Sequence, residues 1–201
     1  MPDPLNITPD FEVAETFMLQ TLQQELSSSL TYHGYHHTLD VMQAAVAIAA
    51  TEHLSAEETG LLRVAVAFHD AGFIHTYKNH EARSCELAKE FLPAFGFTKK
   101  QIDCICSMVM ATKIPQLPKT KLEYIICDAD LDYLGREDVI PIAETLYKEL
   151  NIHIKPMDEK TWDEVQIAFL KSHHYHTAYA TKHRQQNKIA YLNSLMEKWK
   201  D

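Results

Sequence analysis

Glycine is scarce in this chain, with five among 201 residues. Runs that alternate apolar and polar side chains are also few. Both absences argue against a sheet-and-turn architecture and for an all-helical one. The four cysteines, Cys85, Cys104, Cys106 and Cys127, form no C-x-x-C pair. They lie in apolar helical contexts and read as free core thiols, which points to a reducing compartment, the cytoplasm. No apolar run reaches the roughly 18 residues that a membrane helix needs. The segment Met1–Asn6 has neither a basic start nor an apolar signal core, so secretion is not expected. Positive charge is short as well: 19 Lys and Arg stand against 28 Asp and Glu, a formal net charge of -9. Broad nucleic-acid binding needs a basic surface to displace counterions and is excluded on that ground. A phosphorylated small molecule is not, because a metal ion and a few local cations reverse the field inside one cleft. Histidine, by contrast, is abundant, with twelve residues.

The apolar fraction of 46% and charged fraction of 23% suit a globular protein, and 201 residues suffice for one domain, read here as residues 1–201. Apolar residues recur at helical spacing from Phe11 to about Ser29 and from His37 to His53. Ser55-Ala56-Glu57-Glu58 and Thr98-Lys99-Lys100-Gln101 have the form of capping boxes. The first opens a helix ending at His69-Asp70, the second one ending near Thr112. Further helices are expected from about Asn79 to Phe91, Thr120 to Leu134 and Arg136 to Leu150. One long helix should run from Asp158 to about Trp199, kinked at most around His173-His174. The fold class is therefore an all-α, single-domain bundle.

His69-Asp70 is the most informative pair. A neutral imidazole beside a carboxylate at the end of a buried helix is costly unless both converge on something. Two other segments can complete a metal site: Tyr32 to Val41, with His33, His36 and His37, and Ile126 to Gly135, with Asp128, Asp130 and Asp132. Two nitrogens and two carboxylates suit Mn²⁺, Fe²⁺, Co²⁺, Ni²⁺ or Mg²⁺ better than structural zinc. On an ideal helix Asp128 and Asp132 share a face and Asp130 lies nearly opposite. Asp128-x-Asp130-x-Asp132 is not a calcium loop, since Tyr133 and Val139 occupy the positions that need Gly and Glu.

These three segments, in this order and with these flanks, resemble the HD superfamily of metal-dependent phosphohydrolases. The resemblance runs from about Tyr32 to Gly135. It implies His37, His69, Asp70 and Asp130 as metal ligands. The first segment is also similar to the Tyr-His-Asn-x-x-His motif of cyclic-nucleotide phosphodiesterases, with Gly34 in place of Asn. By that likeness His33 falls where a general acid protonates the leaving oxygen. The departure at Gly34 puts a cyclic-nucleotide substrate in doubt. Some HD enzymes use a further histidine where His80 stands, with Glu81 to orient it or to act as a base. The plain structural alternative is that Asn79 caps a helix and Glu81 suits its dipole. Binuclear members carry further histidines where this chain has Met110-Ala111-Thr112, so one tightly bound metal is expected.

Lys113 is a candidate phosphate ligand, though a lysine at a helix end also simply complements the dipole. Asp128 is a candidate second contact or substrate ligand. The histidines at 173, 174, 176 and 183 have no carboxylate at ligand spacing and read as a wall or surface feature, with His176 a candidate substrate contact. Lys119, Lys121 and Arg136 read as solvated surface charge. The leading expectation is a hydrolase of a phosphomonoester or phosphodiester, of a nucleotide or related metabolite. The alternatives are an iron-dependent oxygenase on the same fold and a non-catalytic metal-binding sensor. Oligomeric state has no sequence signature here.

Overall fold

Hydroxyl side chains and aspartates set most of the helix starts. The computed structural model describes residues 8–200, so the Met1–Asn6 segment weighed above lies outside the described residues. Among those residues there are nine α-helices and no strand: α1 (Phe11–Glu25), α2 (Tyr35–Ala49), α3 (Ala56–Phe68), α4 (His80–Phe91), α5 (Lys99–Ala111), α6 (Lys121–Asp130), α7 (Val139–His153), α8 (Glu159–Ser172) and α9 (Ala178–Lys198). None is long and apolar enough to cross a membrane. The capping boxes at Ser55 and Thr98 form as expected, and a third forms at Thr120 with Glu123. Such caps satisfy amides that the first helical turn leaves without partners.

Helices α1 to α6 enclose the main core, with Met18, Leu22, Ile48, Phe68, Ile105 and Ile125 among its wholly buried side chains. Each contributes about 1.5–3 kcal/mol of burial free energy. A second apolar cluster joins Tyr32, Leu131, Tyr133 and Leu134 to Leu170 of α8 and Tyr191 of α9. Chain entering and leaving the α3 and α6 C-termini runs between these two clusters, and the candidate site lies there. All four cysteines are free, and Cys85, Cys106 and Cys127 are buried.

Several helix ends shift by two to four residues from those expected, and two of the differences bear on the site. The long C-terminal helix is two helices separated by residues 173–177. His173 turns to an extended backbone, its carbonyl accepts from Lys188 Nζ at 2.6 Å, and Thr177 caps α9 through Ala180 N. No Gly or Pro marks that break, so helical periodicity runs straight through it. The helix expected to reach Leu134 ends at Asp130, and a 3-10 turn over Asp132–Gly135 follows. Gly135 is required there, because a Cβ would stand 2.3 Å from the Arg184 carbonyl of α9. Arg136 is not solvated surface charge: its guanidinium bonds Asp40 of α2 at 2.7 and 2.8 Å and Asp138 at 2.7 and 2.9 Å.

Candidate metal centre

Three chain segments deliver four side chains to one point. His37 projects from the first turn of α2 and is buried. His69 is the last helical residue after α3. Asp70 leaves helical geometry at φ -107° and ψ 7°, and that bend lets two adjacent side chains reach one place. Asp130 closes α6 from the opposite side. His37 Nε2 lies 3.2 Å from Asp130 Oδ1 and 3.5 Å from Asp70 Oδ2. His69 Nε2 lies 3.2 Å from Asp70 Oδ2 and 3.7 Å from Asp130 Oδ1. One ligand atom each from His37, His69 and Asp70 falls within a 4.8 Å span.

The turn after Asp70 is tightly tied. Ser84 of α4 donates from Oγ to the His69 carbonyl at 2.8 Å and accepts from Gly72 N at 2.8 Å. A Cβ on Gly72 would stand 2.0 Å from the His80 carbonyl, so only glycine lets α4 approach this closely. Asn79 adopts the left-handed conformation at φ 55° and makes no side-chain cap bond. It swings His80 inward, where His80 Nε2 lies 3.4 Å from Asp70 Oδ1 and 3.7 Å from the buried Glu81 carboxylate.

The hydrogen bonds show what is missing at the centre. His69 Nδ1 donates to the Val66 carbonyl at 2.7 Å, which leaves Nε2 as the ring nitrogen that could bind an ion. His69 Nε2 and Asp70 Oδ2 are both buried and have no hydrogen-bond partner. An unsatisfied buried nitrogen beside an unsatisfied carboxylate oxygen is expensive. A cation between them removes both penalties. Burial alone would lower the His69 pKa, but the Asp70 and Asp130 carboxylates outweigh it and hold it up at about 9. Burial would raise the Asp70 carboxyl, yet the His69 and His80 imidazoles keep it well below the ordinary carboxylate value. This density of negative charge, together with the nitrogen and oxygen donors, fits a divalent metal ion.

His33 stands beside this centre rather than in it. Its Nδ1 is hydrogen-bonded to Glu149 of α7, a residue with no solvent exposure. Glu149 also accepts from the backbone amides of Tyr32 at 2.7 Å and His33 at 3.0 Å, and from the Tyr77 hydroxyl at 2.9 Å. Burial would raise its carboxyl, but these donors pull it below the ordinary value. The Phe73 ring is stacked between His33 at 4.3 Å and His80 at 3.9 Å. Sequence reasoning found neither Glu149 nor Phe73. Glu149 lies 116 residues from His33, and Phe73 sits between the helices expected to end at Asp70 and to start at Asn79.

Three other candidates lie elsewhere. Asp128, wholly buried, spends its carboxylate on the loop before α9, accepting from His176 N at 2.9 Å, Thr177 N at 2.7 Å and Thr177 Oγ1 at 2.7 Å. His176 is exposed and stacks on Tyr124 at 5.4 Å. Lys113 is exposed and donates to Asn79 Oδ1 at 3.2 Å.

The family model for the HD domain matches residues 34–132, the span that contains His37, His69, Asp70 and Asp130. No curated protein and no solved structure matches the chain.

Proposed function

We infer, from the match of residues 34–132 to the HD domain family model and from the donor set within that span, that the chain hydrolyses a phosphomonoester or phosphodiester of a small molecule. The observation that carries this reading is the pair of buried, unpartnered atoms, His69 Nε2 and Asp70 Oδ2, set 3.2 Å apart between His37 and Asp130. Those four residues would hold the ion. A divalent ion so held polarises a phosphoryl oxygen and lowers the pKa of water.

The remaining work falls to the chain's own groups. Glu149 fixes the His33 ring through Nδ1, so Nε2 is the nitrogen free to give a proton to the departing oxygen. Phe73 holds the His33 plane by stacking, and no freely rotating side chain is needed to position the donor. His80 reaches Asp70 Oδ1 and is placed to orient that carboxylate or to contact phosphate. An iron-pair oxygenase fits less well: Thr112, at a position where binuclear relatives offer histidine, spends its hydroxyl on the Val109 carbonyl at 2.8 Å.

Hydrolysis by the purified protein, tested with Mn²⁺, Co²⁺, Ni²⁺, Fe²⁺ and Mg²⁺ and read as phosphate release from phosphomonoesters and as alcohol release from phosphodiesters, decides the matter. The expected result is near-stoichiometric bound metal and metal-dependent hydrolysis. Dioxygen consumption by the iron-loaded protein with no ester hydrolysis would overturn it.

A further inference from the structure

A cavity of about 380 Å³ starts at Asp70, Asp130, His80 and His33 and runs away from them. Leu134, Leu146, Leu150, Trp162, Phe169 and Leu170 also line it. The charged and ionisable groups, His33, Asp70, His80, Glu81 and Asp130, gather at the metal end, and no lysine or arginine lines the cavity. Gln166, Tyr191 and Thr112 along the rest of the wall are engaged in hydrogen bonds. Gln166 accepts from the Tyr191 hydroxyl at 2.6 Å and donates to Asp163 at 3.1 Å, and Thr112 bonds Val109. Gln166 is the one side-chain amide in the lining and is held from both ends, and the lining has no lysine or arginine for a second phosphate. At the mouth Ile114 and Val165 are 53% and 46% exposed, so apolar surface continues to the rim.

A dry-walled cavity ending in a metal centre selects an amphipathic ligand with one polar end. We propose that the substrate is a phosphate ester of a hydrocarbon alcohol, whose chain or ring fills this cavity while its phosphate meets the metal end. The proposal rests on the phosphohydrolase reading above for its chemistry, but not for its binding. It departs from the nucleotide expected from sequence, because the apolar wall offers burial and little recognition. Hydrolysis adds one water across the P–O bond and gives inorganic phosphate and the alcohol.

The test is a series of butyl, hexyl and octyl phosphates, with adenosine monophosphate as the competing class, on the Mn²⁺-loaded protein. The matching alkylphosphonates, which cannot be hydrolysed, are titrated by calorimetry. Each added methylene should raise kcat/KM, and tighten phosphonate binding, by about fourfold until the cavity is full. Val165→Asp, which sets a carboxylate at the half-exposed rim, should flatten both slopes. A flat series in both measurements, a preference for the nucleotide, or an undiminished slope in V165D would each overturn the proposal. If the esters are still cleaved in those cases, the hydrolase reading survives alone. Chain-length-dependent phosphonate binding with no phosphate released would support the cavity assignment and reject the hydrolase reading instead.

Discussion

His69 and His173 are both buried histidines whose Nε2 finds no hydrogen-bond partner, yet they are opposites chemically. At His69 the Nδ1 proton goes to the Val66 carbonyl, so Nε2 is the nitrogen facing Asp70 and Asp130, whose carboxylates favour a positive charge there. At His173 the Nδ1 accepts from Lys188 Nζ at 3.2 Å, so Nε2 carries the proton. Its neighbours are cationic or neutral, and burial with Lys188, His176 and His174 close by pushes its pKa down to about 3. Histidine count therefore says little about metal binding. The tautomer fixed by the other ring nitrogen, and the sign of the surrounding charge, decide which cluster can hold an ion.

The largest expected effect breaks the first half of this contrast. Asp70→Ala and His69→Ala should each lose bound metal and all detectable phosphate release while staying helical by circular dichroism. Stoichiometric metal in either variant would reject the centre. His33→Ala should keep its metal and lose about 10²–10⁴-fold in kcat on alkyl phosphates, with a much smaller loss on p-nitrophenyl phosphate, whose leaving group needs no proton. Glu149→Gln, which keeps an acceptor for the Tyr32 and His33 amides but removes the carboxylate behind the His33 ring, should cost about 10–100-fold with the same substrate dependence. Equal losses on both substrates would show a structural role instead.

The two aspartates of α6 sharpen the comparison further. Asp130→Asn should weaken metal binding, read by metal analysis. Asp128→Asn should leave metal in place and lower urea stability by about 1–3 kcal/mol, because a buried acceptor of several donors is replaced by an amide. The reverse ranking would exchange their roles.

The smallest effect concerns His173. Its folded pKa lies below the unfolded value, so below about pH 6.5 the unfolded chain takes up a proton that the native chain refuses. Native stability from this group is intact above pH 6.5 and falls as the pH drops toward 3, by about 2 kcal/mol at pH 5. His173→Gln should remove that part of the acid dependence in urea titrations at pH 7 and pH 5. An unchanged difference between the two pH values would show that His173 titrates normally in the fold.

Much of the local organisation is legible without coordinates. The capping boxes at Ser55 and Thr98 and the apolar helix running to Phe68 depend only on nearest neighbours along the chain. The three segments that meet at the centre were also readable, because each carries its chemistry within a few residues. The break after Ser172 was not, since it is stabilised by Lys188, fifteen residues on, and by Asp128, which holds the loop from another helix. Arg136 looked like surface charge for the same reason: Asp40, its partner, lies 96 residues away.

Helix type, helix starts and the identity of the donors follow from short-range chemistry, which a linear chain states openly. The approach of Asp130 to His37 and His69, the buried Glu149 behind His33, the commitment of Asp128 to a loop and the apolar cavity beyond the metal end depend on groups tens to more than a hundred residues apart. Such groups meet only when the main core and the Tyr32–Tyr191 cluster have packed, and desolvation then sets the charge and hydrogen bonding of each.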